Sequence, residues 1–102
     1  MSKFGLYNKF MTKEGKRDEL VGILLEAAAS MEQVTDCEIY SVNVSDNEPE
    51  SVWVYEVWSS AGAHQASLSL EGAAALIGRA MPLIAGVERI HTLTPVGGKG
   101  IS

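Results

Sequence analysis

What this chain has little of already narrows its chemistry. It holds a single cysteine, Cys37, which excludes an intrachain disulfide and any metal site built from several thiolates. Its 8 Lys and Arg are scattered and outnumbered by 13 Asp and Glu, for a net charge of −5. Such a balance offers no broad positive field, so neither nucleic acid nor an anionic membrane is an expected partner. No apolar run approaches the length of a membrane span, and no basic, apolar and small-residue leader opens the sequence. The expectation is a soluble, cytoplasmic protein. Glycine-rich nucleotide loops and the serine-hydrolase G-x-S-x-G are absent. The two histidines stand at no metal-ligand spacing from the acidic residues, so no metal is expected.

What remains is ordinary globular material: 102 residues, 46% hydrophobic and 21% charged, with no composition break and no repeat. That predicts one domain over 1–102, with a core at about 3–95 and a tail at 96–102. "KFGLYNKFM" (3–11) alternates, placing Phe4, Leu6, Asn8 and Phe10 on one face of a strand. After Gly15, Leu20, Ile23, Leu24, Ala27, Ala28 and Met31 recur at helical steps, predicting a helix over about 16–33. Asp18 and Glu19 suit its positive end. "CEIYSVNVS" (37–45) and "SVWVYEVW" (51–58) read as strands joined through "DNEPE". An Ala-rich helical region follows from Ser60, interrupted near "SLSLEG", with Ser69 a candidate cap for its second piece. Pro82 and Gly86 close it, "VERIHTLTP" (87–95) is a fourth strand, and "VGGKGIS" reads as a flexible or partner-borne tail.

The order β-α-β-β-α-β predicts an α+β, ferredoxin-like fold with an antiparallel sheet. Helices cover one face of such a sheet and leave the other bare. Along 51–58, Val52, Val54, Glu56 and Trp58 alternate with Trp53, Tyr55 and Val57, so both faces are substantially apolar. The surplus face predicts a homodimer. Alternation against Asn8, Asn43 and Glu56 assigns Tyr7, Tyr40 and Tyr55 to that dimer side.

The pattern "KEGKRDEL…ILLEAAASM…CEIYSVNVSDNEPESVWVYEVWSSAGAHQASL" resembles the antibiotic biosynthesis monooxygenase family over roughly 3–95. Its markers are the Gly15-Lys16 helix entry, the hairpin with an acidic loop, and the pair Glu56 and Trp58. The resemblance implies a dimeric α+β barrel with a pocket between each sheet and its helices. It further implies oxidation of a small aromatic quinol or phenol by molecular oxygen, without a cofactor. An electron-rich phenolate can pass an electron to oxygen unaided when a site binds it, deprotonates it and excludes water.

By the same resemblance, Trp58 walls the pocket and Glu56 is the acidic position beside it. Asn43 matches an asparagine that holds a substrate oxygen. Many members carry a histidine where this chain has Ser67; here His64 stands one helical turn earlier. The expected catalytic residues are therefore His64, Glu56 and Asn43, and the expected substrate contacts are Trp58, Asn8, Phe4 and Leu6. His91 is a weaker candidate. Asn8 also looks like the first-strand asparagine of related haem-degrading enzymes. Their tryptophan and histidine would fall near Ala66 and Leu76, where this chain has neither, so haem degradation is disfavoured. Two rival readings keep the fold and drop the oxygenation: a non-enzymatic binding or stress-response protein for apolar ligands, and an isomerase or lyase.

Overall fold

A computed structural model describes residues 2–70 and 72–101. Strand β1 spans Phe4–Thr12, β2 Cys37–Ser45, β3 Glu48–Trp58 and β4 Ile84–Leu93. They form one antiparallel sheet in the order β2-β3-β1-β4. Helix α1 spans Arg17–Ser30, α2 Ala61–Ser67 and α3 Ala73–Ala80. Short 3-10 turns at Met31–Gln33 and Met81–Leu83 extend α1 and α3. The ferredoxin-like α+β order is the observed one, with its second helix in two pieces.

The apolar stripe of α1 explains the packing. Leu20, Ile23 and Leu24 meet Val52 and Val54 of β3, with Ala80 and Leu83 closing the far side. Each large aliphatic side chain buried there stabilises the fold by about 1.5–3 kcal/mol. Strand β3 is central, and Val52, Val54, Glu56 and Trp58 all turn inward, as the alternation predicts. On the opposite face Tyr7 and Tyr55 pair edge to face at 6.2 Å, and the Lys9 ammonium lies 5.3 Å from the Trp53 ring.

Three local expectations are corrected. The hairpin turn is only Asp46 and Asn47, because β3 starts at Glu48 and takes in Pro49. Proline is tolerated there since the β2–β3 register shifts between Asn43 and Ser45, and β1 pairing stops at Met11 with Ser51. Ser69 does not cap α3; Gly72, at φ 89°, holds that position without a side-chain bond. Gly86 lies inside β4 rather than ending the helix. It faces Met11 so closely that a Cβ would sit 3.0 Å from the methionine Cε.

Candidate active site

Between the sheet and its helices lies a cavity of about 420 Å³. Strand β3 supplies Glu56 and Trp58, two residues apart and so on one face. Strand β2 adds Tyr40, paired directly with Glu56. Helix α2 adds His64 and Ser67, and α1 and α3 form the outer walls, with Glu26 on one and Leu76 and Ile77 on the other.

Helix α2 is placed by Ser60, whose Oγ accepts the Ala63 N–H at 3.1 Å and caps the first turn. That cap fixes the rotation of a seven-residue helix and hence the aim of His64. The His64 ring stands between two aromatic rings, Phe4 at 5.4 Å and Trp58 at 5.5 Å. Ser67 is buried, and its hydroxyl donates to the His64 carbonyl at 2.6 Å. Position 67 therefore also reaches the cavity, on the same helical surface as His64.

Glu56 is 9% exposed and its Oε1 accepts the Trp58 indole N–H at 3.0 Å. Among the described residues Oε2 has no partner, yet it is not sealed from the cavity. Burial pushes the Glu56 carboxyl above the usual glutamate value; the indole bond and nearby His64 act against that rise. Burial likewise pushes the Tyr40 phenol well up, helped by the Glu56 and Cys37 charges. The Cys37 thiol is raised to about 11 by burial, then by Glu56 and Glu38, so it is no ready nucleophile.

Three expected residues thus meet at the cavity: Glu56, Trp58 and His64. Phe4 does not line it but backs the His64 ring. Leu6 is buried opposite Glu56 on β1, also outside the cavity lining. Asn8 lies on the helix-facing side opposite Val54, away from the cavity, and its Oδ1 is buried without a partner among the described residues. His91 is exposed on β4 opposite Tyr7, in the outer-face row of Tyr7 and Tyr55, and does not line the cavity.

Asn43 is the correction. It pairs with Trp53, not with Glu56 or Val54, so it belongs to the outer face. It is exposed there, donating to the Trp53 carbonyl at 3.3 Å. Tyr40 changes sides with it and packs inward with Val42 against the core. The signal is present in "CEIYSVNVS": Tyr40, Val42 and Val44 form its more apolar alternate set, and the core claims Tyr40 and Val42 while Val44, near the hairpin end, is exposed. Glu26 carried no such signal, because a carboxylate on a helix ordinarily marks a solvated flank.

Among the described residues no three His, Cys, Asp or Glu side chains cluster as metal ligands, and no helix is long and apolar enough to cross a membrane. A family model described as antibiotic biosynthesis monooxygenase matches residues 4–79. The chain belongs to that family. A Chloroflexus aurantiacus protein assigned to the same monooxygenases is 40% identical, with a TM-score of 0.89 over 99% of this chain and 100% of its own. One from Caulobacter crescentus is 21% identical, with a TM-score of 0.82 over 94% of this chain and 92% of its own. SnoaB, a cofactor-independent oxygenase from Streptomyces nogalater, shares the fold at 14% identity, with a TM-score of 0.80 over 96% of this chain and 97% of its own. No curated protein sequence matches. Glu56, Trp58 and His64 are the expected residues that this chain brings to one cavity.

Proposed function

We propose that the protein is a cofactor-independent monooxygenase of a small aromatic quinol or phenol. The observation that carries the reading is Glu56: a buried carboxylate held by Trp58, with one oxygen left open to an aromatic-walled cavity beside His64. A flat ring fits against Trp58, with its hydroxyl donating to Glu56 Oε2 or to the His64 imidazole. Either group takes the proton, and exclusion of water strengthens the electron-rich anion's interaction with its fixed partners. The anion passes an electron to oxygen, and the two radicals combine at a ring carbon. Loss of water then leaves one oxygen atom on that carbon as a carbonyl. The carbon is oxidised, two hydrogens leave with the second oxygen atom, and no other reductant is consumed.

Self-association belongs to the same reading. Tyr7, Trp53 and Tyr55 make an aromatic outer face that none of the described helices covers, and a second copy is its proposed occupant. Oxygen uptake by metal-free protein with a panel of hydroquinones and anthrone-like phenols tests the chemistry. Uptake above background is expected, reduced about 10²-fold or more in His64→Ala or Glu56→Gln. Binding without uptake across the panel would replace the oxygenase reading with a ligand-binding one.

A further inference from the structure

The cavity has a rim as well as a floor. Glu26, on its α1 side, is gripped by both terminal nitrogens of Arg79 from the last turn of α3, at 2.9 and 2.7 Å. Both side chains are about half exposed, so the pair contributes little to stability. Its geometry matters more. A planar guanidinium fork is the group best suited to seize a carboxylate, and Glu26 already fills it. Arg79 in turn holds the Glu26 carboxyl below its ordinary range, keeping it anionic. His64, between two rings, is then the only basic side chain among the described residues lining the cavity, and Glu56 is anionic or neutral on the floor.

We infer that Glu26 is a specificity-determining residue: by occupying Arg79 it makes the cavity accept an uncharged aromatic ring and reject the carboxylated analogue. The inference rests on reading the cavity as a site for a phenolic ring. An incoming carboxylate meets Glu26 and Glu56, and the Arg79 fork that stands behind Glu26 is taken; the one basic group left in the lining, His64, already faces Glu56. A neutral hydroxyl meets an acceptor on the floor and no opposing charge at the rim.

Calorimetric titration with 2-naphthol and 2-naphthoate tests this, using the wild-type chain, Glu26→Gln and Arg79→Gln. Wild type should bind the naphthol about tenfold or more tightly than the naphthoate. Glu26→Gln, which frees the fork, should strengthen naphthoate binding about tenfold and leave naphthol near its wild-type affinity. Arg79→Gln breaks the same pair without freeing a cation, so naphthoate should stay rejected. Equal gains in both variants would overturn the inference, because a loosened rim would then be the cause. So would an unchanged naphthoate affinity in Glu26→Gln, or a wild-type chain that fails to bind naphthol. Oxygen is not consumed in the titration, so failure of the oxygenase reading leaves this result untouched.

Discussion

At the scale of single residues, Glu56 and Trp58 act as one unit. Trp58→Phe removes the only described donor to Glu56 Oε1 and opens space at a fully buried position. The expected loss is about 3 kcal/mol, read by urea unfolding. Glu56→Gln should do the opposite near neutral pH. Burial raises the folded-state value above 4.5, so the stability contributed by the neutral acid is full below the ordinary glutamate range and is lost as pH rises through the raised one. An amide keeps an oxygen for the indole without that penalty, so Glu56→Gln should melt higher than wild type at pH 7. The gap should close as pH falls below 4.5, a trend that thermal melts across pH would reveal. Oxygen uptake should show the converse, rising with pH as Glu56 becomes able to take a proton.

At the scale of elements, short pieces position the site and are sensitive to their ends. Ser60→Ala should cost about 1 kcal/mol through the lost α2 cap. Because α2 carries His64, the same change should lower oxygen uptake more than its small stability loss explains. Gly5→Ala should destabilise by about 1–3 kcal/mol, since the new Cβ would stand 3.3 Å from Leu93 and Pro95. Elements were the most legible level of the sequence. The α1 stripe and the inward set of β3 follow from strong periodic patterns, and both faces came out as read. The facing of β2 does not, because the resemblance puts Asn43 at the site and alternation then sends Tyr40 outward, whereas the core selects the apolar set that contains Tyr40 and Val42. Glu26 and Arg79, 53 residues apart, meet only through the packing of α1 on α3, which no local pattern encodes.

At the scale of the whole molecule, the outer aromatic face should make the chain run as a dimer in light scattering. Tyr55→Lys should shift it toward monomer, since a charge there opposes burial against a second copy. A monomeric wild type would remove that expectation.

The strand order β2-β3-β1-β4 sets the sequence of events by which the chain matures. The β2–β3 hairpin closes over a two-residue turn, whereas β1 finds its outer neighbour only in β4, the last strand to be made. On the ribosome β1 must wait, one edge open, until β4 has emerged. Slow translation of the segment between β3 and β4 would prolong that unpaired interval, during which the strand edge is available to chaperones and to aggregation.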